Sequence, residues 1–341
     1  MNEEKEIIKK IISILPESKL HLNNFFESDS EILNYGDKKM LFTVDEFSGE
    51  DMFRDDDPYI LGWNLAVGTI SDILANGGKP LFYAHSIVID EKWNNNYIES
   101  FTKGVADIMK KTGAAFIGGD LGKSKNWSYT GIVIGETINA LTRKGAIPGD
   151  LIYMTGKTGA GNLEAALNLY SNKKVIGSFT KKYKTYLNLT VKESEFIKDF
   201  ASSCIDTSDG VLSALNTISE INNTGYEIRN LKYITTGVLA CKLLFKPKTF
   251  LFMGECGEYE LLFTVRKEDE ERFIEKSKHN NLSFHKIGKL TEPSRKLLFE
   301  NNQVLDLVNY DIWARNYSDI GEYLNDLTGY LEKGWKKIVK S

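Results

Sequence analysis

A strand–helix alternation that is interrupted once and then resumes constrains this chain more than any other feature. Residues 40–137 alternate apolar strand-like runs with helical patterns, and the alternation starts again at "LIYMTG", residues 151–156. Between the two stretches lies "RKGAIPGD", residues 143–150, which is rich in turn-forming residues. Because strands and helices interleave in both halves, the sequence predicts an α/β fold of two lobes.

The clearest single element is the helix predicted in "DPYILGWNLAVGTISDILANGGKP", residues 57–80. Its apolar residues recur at the three- and four-residue spacing of one buried helical face: Ile60, Trp63, Val67, Ile70 and Leu74. Gly77 and Gly78 predict a C-terminal cap, and Pro80 prevents the helix from continuing. Asp72 lies off the apolar stripe, which leaves its carboxylate available for another role.

Composition narrows the class of protein. The 341 residues are 42% hydrophobic and 26% charged, which is typical of a globular protein with a substantial core. A net charge of -4 argues against nucleic acid as a partner, because no basic excess is present to neutralise phosphates. No run approaches the roughly 18 apolar residues of a membrane span, and the amphipathic N-terminal segment before Pro16 does not resemble a secretory signal. Three cysteines without a C-x-x-C pair predict reduced thiols and a cytoplasmic protein.

Six aspartates stand out because each is predicted where a helix or strand begins or ends: Asp29, Asp45, Asp72, Asp120, Asp206 and Asp209. Ordinary helix caps and turns account for any one of them taken alone. Taken together they suggest another interpretation, since several converging carboxylates repel one another unless a cation offsets the repulsion. No arginine stands in these motifs, so Mg²⁺, which prefers oxygen ligands, is the natural candidate. The spacing alone leaves open whether the six converge.

Two other segments carry weaker signals. "GKTGAG" does not fit the phosphate-loop pattern, because no Lys-Ser or Lys-Thr pair follows a later glycine. The lysine-rich "TKKYKTYLNLTVKESEFIKDFASS", residues 180–203, predicts a helix whose lysines, Lys181, Lys182 and Lys184, form a solvated face. Neither segment by itself indicates a function.

Read in order, the motifs resemble a known superfamily. The segments that carry the resemblance are "FTVDEFSGEDMF", "LGWNLAVGTISDILANGGKP", "FIGGDLGKS", "LTRKGAIPGDLIYMTGKTGAG", "CIDTSDGVLSAL" and "GEYELLFTV". Each is weak alone, but the six occur in the order found in the AIR synthetase, or PurM-like, superfamily. Within it, the chain most resembles the thiamine-monophosphate kinases.

The resemblance implies a two-lobed PurM-like fold of the α/β (α+β) class. Residues 1–142 would form an ATP- and Mg²⁺-binding domain that dimerises through a shared β-barrel. Residues 149–341 would form a second α/β domain ending in a helical tail. ATP would bind in the cleft between the lobes, and a homodimer would form without nucleic acid or membrane partners.

The resemblance also assigns site residues. It implies metal ligands at Asp29, Thr43, Asp45, Asp72, Asp120, Asp206 and Asp209. It implies nucleotide contacts from Gly119, Asp120, Arg143 and Ser208. The residues expected to support catalysis are Asp45, Asp72, Asp120 and Asp209.

The chain departs from the kinase pattern on the acceptor side. Met52 stands where a substrate-contacting histidine is expected, and Glu258 replaces an aspartate. The usual Gly-Asp-Asp-Ala is "ESDSEI" here, which leaves only Asp29. The predicted function is ATP- and Mg²⁺-dependent phosphoryl transfer to a small phosphorylated acceptor, with thiamine monophosphate as the first candidate. An AIR synthetase-type cyclo-ligase and a non-catalytic nucleotide-binding protein remain as alternatives.

Overall fold

The fold is that of a computed structural model, which describes residues 3–16, 18–170 and 183–338. The predicted exposed lysines Lys181 and Lys182 lie outside these ranges. Within the described residues, every helix is too short or too polar to cross a bilayer.

The first half of the chain forms a five-stranded sheet with two helices packed on it. Its strands are β1 (Glu31–Tyr35), β2 (Lys38–Ser48), β3 (Lys79–Asp90), β4 (Ala115–Ser124) and β5 (Ser128–Thr137). Its helices are α1 (Glu3–Ile12), α2 (Pro58–Ala75) and α3 (Asn95–Thr112). The strand order is β1-β2-β5-β3-β4, and only the β3–β4 pair, connected through α3, is parallel. The edge strands β1 and β4 do not pair with each other, so the sheet is open.

Local signals explain the helices of this half. Asp57 accepts a hydrogen bond from the backbone N–H of Ile60 and caps α2, and Pro58 occupies the first helical turn. Gly77 adopts φ +66° directly after α2, as the predicted C-terminal cap requires. The single apolar stripe predicted for α2 is wrong, because the helix is buried on nearly all sides between α3, the first sheet and the strand Ala201–Asp206 of the second sheet.

Three aspartates predicted at the ends of elements lie inside them. Strand β2 pairs with β5 as far as Ser48, so Asp45 is within the strand, and Asp72 lies within α2. Strand β4 continues through its two glycines to Ser124, so Asp120 also lies mid-strand. The prediction that the two glycines end this strand is wrong. A Cβ on Gly119 would lie 2.3 Å from the carbonyl oxygen of His85, so glycine at this position permits close strand pairing.

The second half forms an eight-stranded sheet in the order β13-β12-β11-β8-β10-β6-β9-β7. Its strands are β6 (Leu151–Met154), β7 (Ala201–Asp206), β8 (Gly225–Ile228), β9 (Leu261–Val265), β10 (His285–Thr291), β11 (Lys296–Glu300), β12 (Gln303–Asp306) and β13 (Trp335–Lys337). Its helices are α4 (Ala160–Leu169), α5 (Val191–Ile197), α6 (Gly210–Ile221), α7 (Thr235–Leu243), α8 (Phe250–Met253), α9 (Glu270–His279) and α10 (Ile320–Lys333). Short 3₁₀ turns occur at Gly49–Asp51, Lys267–Asp269 and Ala314–Asn316.

The helix predicted from residue 180 is much shorter than expected. In the described part of that segment, only Val191–Ile197 is helical, and residues 183–190 form no helix or strand. Side chains of α2 satisfy its backbone instead: Trp63 Nε1 donates to the carbonyl of Leu187 at 3.0 Å, and Asn64 Nδ2 donates to that of Thr185 at 2.9 Å. These tertiary hydrogen bonds outweigh the local helix propensity.

Candidate functional site

Carboxylates from distant parts of the chain meet where α2 lies between the two sheets. Three residues, Asp29, Asp72 and Asp206, each have one carboxylate oxygen within 4.8 Å of a carboxylate oxygen of the other two. Asp29 precedes β1, Asp72 lies on α2, and Asp206 ends β7. Asp45 on β2 adds a fourth carboxylate, close enough to influence the ionisation of Asp72. We call these four residues the aspartate cluster.

Two side chains of β2 face the cluster, because successive side chains of a strand point to opposite faces of the sheet. Val44 points away from α2 and is 49% exposed, so its neighbours Thr43 and Asp45 project to the opposite face. Thr43 Oγ1 donates a hydrogen bond of 2.5 Å to Asp72 Oδ2. Thr43, predicted as a metal ligand, therefore holds one of the carboxylates in place.

Asp206 is held by two serines. Ser71, next to Asp72 on α2, donates to Asp206 Oδ2 at 2.5 Å. Ser208 donates its hydroxyl proton to Asp206 Oδ1 at 2.8 Å. In this structure Ser208, predicted as a nucleotide contact, orients a carboxylate of the cluster.

One arginine does stand beside the cluster, contrary to the expectation from the motifs. Arg143 Nη2 lies 2.9 Å from Asp29 Oδ1, and the Asp29 side chain is fully buried. Arg143 comes from the turn-rich segment between the halves, and its backbone N–H donates to the carbonyl of Glu27. The sequence could not show this pair, because Asp29 and Arg143 are 114 positions apart in the chain.

One positive charge does not neutralise four carboxylates. Burial raises the pKa of Asp29 to about 6, with a further increase from Asp206 and a decrease from Arg143. Burial, followed by the charges of Asp206 and Asp29, raises the pKa of Asp45 to about 8. Burial and the neighbouring aspartates raise the pKa of Asp72 well above its usual value. The arrangement disfavours ionisation unless a further cation is bound.

The donor chemistry suits a divalent metal ion. Asp29 Oδ2 is buried and has no hydrogen-bond partner among the described residues. The cluster brings several carboxylate oxygens together, and one of them lacks a partner. Oxygen atoms of this kind are the ligands that Mg²⁺ prefers. Asp29, Asp45, Asp72 and Asp206 thus fit the predicted metal better than any other group of residues in the described ranges.

Asp45, Asp72 and Asp206 of the cluster line a cleft of about 490 Å³, and Asp29 is buried behind them. Half of the cleft's eighteen lining residues are acidic: Asp45, Glu46, Glu50, Asp51, Asp72, Glu164, Asp206, Asp209 and Glu255. Phe47, Phe53 and Tyr259 add aromatic rings whose centroids are 6.2–6.5 Å apart. Asp209 is exposed at the N-terminus of α6, so it lies at the cleft wall without joining the buried cluster.

Two predicted site residues lie apart from this cleft. Asp120 and Gly119 are exposed on the edge strand β4 and do not line it. Their assignment to metal and nucleotide remains a prediction. Of the two acceptor-side departures, Met52 lines the cleft, whereas Glu258 is buried away from it and accepts a hydrogen bond from the Gly159 backbone at 3.1 Å.

A contact that sequence reasoning missed fixes the segment carrying Met52. Arg54 donates Nε and Nη2 to the two carboxylate oxygens of Glu164 on α4, at 2.7 and 2.8 Å, and both side chains are more than nine-tenths buried. One turn later on α4, Asn168 Nδ2 donates to the carbonyl of Met52 at 3.2 Å. The i, i+4 spacing of Glu164 and Asn168 in "NLEAALNLY" was the available signal, but nothing in it identified the partners.

Comparison with known proteins finds similar sequences. Residues 27–137 match the family described as AIR synthase related protein, N-terminal domain. The thiamine-monophosphate kinase of Aquifex aeolicus (strain VF5) is 28% identical over 254 residues, 72% of this chain and 82% of the relative. That of Escherichia coli (strain K12) is 28% identical over 329 residues, 91% of this chain and 98% of the relative. Over residues 27–137 the chain is similar to the AIR synthase related proteins. The chain is also similar to the thiamine-monophosphate kinases, as its motifs predict.

The fold agrees with this similarity. The structure of AaThiL complexed with AMPPCP and TMP superposes with a TM-score of 0.71 at 24% identity, covering 88% of this chain and 94% of that one. The predicted α/β PurM-like fold is confirmed. A closed β-barrel is not seen in the single chain, because β1 and β4 remain unpaired sheet edges.

Proposed function

We propose that this chain transfers the γ-phosphate of ATP to thiamine monophosphate, giving thiamine diphosphate and ADP. The convergence of Asp29, Asp45, Asp72 and Asp206 at the wall of one cleft, which the last three line, carries the proposal, since phosphoryl transfer depends chiefly on positioning and on neutralising phosphate charge. The similarity to thiamine-monophosphate kinases over most of the chain supports the choice of acceptor.

The acceptor needs little help from a general base. A phosphate monoester has a second pKa of about 6, so its terminal oxygen is largely ionised at neutral pH. The terminal phosphate oxygen of the acceptor attacks the γ-phosphorus of ATP. The bond between the γ-phosphorus and the β,γ-bridging oxygen breaks, and ADP leaves with the bridging oxygen. The absence of histidine from the cleft lining within the described chain is compatible with this chemistry.

The aspartate cluster is the proposed Mg²⁺ site. When bound, Mg²⁺ supplies the positive charge that neutralises the phosphates of ATP. Thr43 fixes the orientation of Asp72, and Ser71 and Ser208 fix that of Asp206. These hydrogen bonds hold the carboxylates in a ligand geometry before substrate arrives.

The roles predicted for the two domains are part of the proposal. Residues 1–142 would bind ATP and Mg²⁺, and residues 149–341 would complete the cleft. The nucleotide would be contacted by Gly119, Asp120 and Arg143, and Asp120 would also be a metal ligand. Asp209 at the cleft wall would serve as an outer metal ligand or phosphate-orienting group.

A homodimer formed through the first sheet is the proposed assembly. Large apolar side chains are exposed on this sheet, Val44 and Phe82 on its outer face and Phe116, Ile117 and Leu121 along the edge strand β4. Strand β4 is also an unpaired edge, which offers backbone hydrogen bonds to a second copy. Apolar exposure on a regular sheet face is typical of a surface covered by a partner.

A product assay tests the proposal. The purified chain is incubated with ATP, Mg²⁺ and thiamine monophosphate, and ADP, free phosphate and thiamine diphosphate are quantified. Equal amounts of ADP and thiamine diphosphate without free phosphate are expected. ADP released with free phosphate would favour a cyclo-ligase, and ATP binding without turnover would favour a non-catalytic protein.

A further inference from the structure

Two asparagines bracket the Asp29–Arg143 ion pair, each at the end of a helix. Asn76 directly follows α2 in the first half of the chain, and Asn222 directly follows α6 in the second half. The Asp29 side chain is fully buried, and its Oδ2 has no hydrogen-bond partner among the described residues. The position of this oxygen therefore depends on how the main chain on either side of Asp29 is held.

Asn76 holds the two serines that flank Asp29. The Asn76 side chain is fully buried, and its Oδ1 accepts hydrogen bonds from the Ser30 backbone N–H at 2.9 Å and from the Ser30 hydroxyl at 2.7 Å. Its Nδ2 donates to the Ser28 hydroxyl at 2.6 Å and to the carbonyl of Leu141. These four bonds use both donors and both acceptor positions of the amide. The serines on either side of the single aspartate in "ESDSEI" thus anchor it to the end of α2.

The bond to Leu141 connects Asn76 to the segment that carries Arg143. The Leu141 N–H donates back to the Asn76 carbonyl at 3.0 Å, and the Arg143 N–H donates to the Glu27 carbonyl at 2.8 Å. The main chain before Asp29 and the main chain before Arg143 are therefore held side by side. A shift of Asn76 would move both members of the ion pair.

Asn222 holds the other side of Arg143. Its Nδ2 donates to the carbonyls of Arg143 and Ile218, each at 2.8 Å. Its Oδ1 accepts from the backbone N–H groups of Gly145 at 2.8 Å and Ala146 at 3.0 Å. This amide also uses all of its donors and acceptor positions. Because Ile218 lies in the last turn of α6, Asn222 fastens the turn-rich segment to a helix of the second half.

We propose that Asn76 and Asn222 are positioning residues for the Mg²⁺ site and act through the Asp29–Arg143 pair. A displacement of the main chain at Asp29 moves an oxygen that no other described residue holds. Groups that orient metal ligands typically contribute roughly ten- to hundredfold to metal affinity. This inference rests on the proposed function and adds to it: both halves of the chain set the affinity of the metal site, each through one asparagine.

Alanine substitutions test the assignment. Asn76→Ala and Asn222→Ala each remove four hydrogen bonds and leave every carboxylate of the aspartate cluster in place. Asn280→Ala is the matched control. Asn280 also follows a helix, α9, and donates to the carbonyl of Lys276 at 2.8 Å, as Asn222 does to that of Ile218, but α9 does not line the cleft. Calorimetry measures Mg²⁺ affinity without nucleotide, at a temperature at which melting curves show each variant to be folded.

The expected result is a loss of Mg²⁺ affinity confined to the two bracketing positions. The Kd for Mg²⁺ rises at least about tenfold in Asn76→Ala and about three- to tenfold in Asn222→Ala, and it stays within about twofold in Asn280→Ala. In the kinase assay, the first two variants need more Mg²⁺ for half-maximal rate and recover most of kcat at saturating Mg²⁺. Unchanged Mg²⁺ affinity in both folded variants, or an equal loss in Asn280→Ala, overturns the assignment.

A milder variant keeps the test decisive if Asn76→Ala does not fold. Ser30→Ala removes the hydroxyl bond to Asn76 and keeps the backbone bond, so the Kd for Mg²⁺ should rise about two- to fivefold. An unchanged Kd in Ser30→Ala together with an unchanged Kd in Asn222→Ala would overturn the assignment.

The binding measurement separates this inference from the kinase proposal, because it needs neither ATP nor acceptor. If the parent protein binds Mg²⁺ but forms no thiamine diphosphate, the kinase proposal fails, and the affinities of the variants alone decide the role of the asparagines. If thiamine diphosphate forms and the variants bind Mg²⁺ as the parent does, the kinase proposal stands and this inference fails. A parent protein that binds no Mg²⁺ overturns this inference together with the proposed metal site.

Discussion

Ser71 on α2 donates a hydrogen bond of 2.5 Å to Asp206 at the end of β7, across 135 positions of sequence. This bond joins the helix packed on the first sheet to the edge strand of the second. Both residues are buried, and Ser71 stands next to Asp72, so one contact brings carboxylates of the two halves together. The cleft therefore depends on how α2 packs between the sheets.

Replacing Asp72 with asparagine should separate activity from stability. Asp72→Asn keeps the shape and the hydrogen bond with Thr43 but removes one charge from the cluster, so kcat/KM should fall at least about tenfold. Because burial and three neighbouring aspartates already disfavour the charged form of Asp72, the melting temperature without metal should stay level or rise. Steady-state kinetics and calorimetry measure the two effects. Unchanged activity would remove Asp72 from the proposed metal site.

The threonine that orients Asp72 offers a finer test. Thr43→Val removes the hydroxyl with little change of volume and should lower kcat by roughly tenfold, because the carboxylate loses its fixed orientation. Thr43→Ser retains the hydroxyl and should keep most of the activity. The comparison is made at several Mg²⁺ concentrations, and equal activity in the two variants would argue against an orienting role.

Stability without metal should fall as pH rises. Folding raises the pKa of Asp29 to about 6 and that of Asp45 to about 8, so the folded chain holds these protons more tightly than the unfolded chain does. The free energy of unfolding should therefore be highest below the ordinary carboxyl range and decrease between about pH 4 and pH 8.

Melting curves recorded in EDTA at about pH 5 and about pH 8.5 measure this difference. The Asp45→Asn variant should show a flatter profile, because it lacks a carboxyl group whose pKa folding raises to about 8. Added Mg²⁺ should raise the melting temperature more at the higher pH, where its ligands are ionised. Greater stability at the higher pH in EDTA would contradict the electrostatic account of the cluster.

The ion pair that holds the Met52 segment should control acceptor binding. Glu164→Gln breaks a bidentate, buried pair with Arg54 and should lower the free energy of unfolding by about 2–4 kcal/mol. The KM for thiamine monophosphate should increase more than the KM for ATP, because the segment lines the acceptor side of the cleft.

Glu136→Gln, in a half-exposed pair with Lys38, is the matched control and should change neither KM nor stability appreciably. If Glu164→Gln is less stable and changes the KM for thiamine monophosphate and the KM for ATP equally, the pair stabilises the fold and has no specific role in acceptor binding.

A charge placed on the exposed edge strand β4 should prevent dimerisation. Leu121 is 68% exposed on β4, so Leu121→Glu should leave the monomer folded while burying an unpaired charge in the proposed interface. Light scattering coupled to gel filtration should show a dimer for the parent protein and a monomer for the variant. Lys125→Glu, exposed in the turn after β4, should remain dimeric. A parent protein that is monomeric at high concentration would rule out the proposed assembly.

The sequence by itself determined the ends of local elements and the resemblance to known proteins. Asp57, Pro58 and Gly77 define the ends of α2 through capping signals that act over a few residues, and the ordered motifs predict the similarity to the thiamine-monophosphate kinases. Only the tertiary structure decided which side chains meet. It placed Asp45 within a strand, paired Arg143 with Asp29, left Asp120 on an edge strand, and put Tyr323 of α10 beside the cleft. These relationships depend on contacts between residues far apart in the chain, which spacing and propensity do not encode.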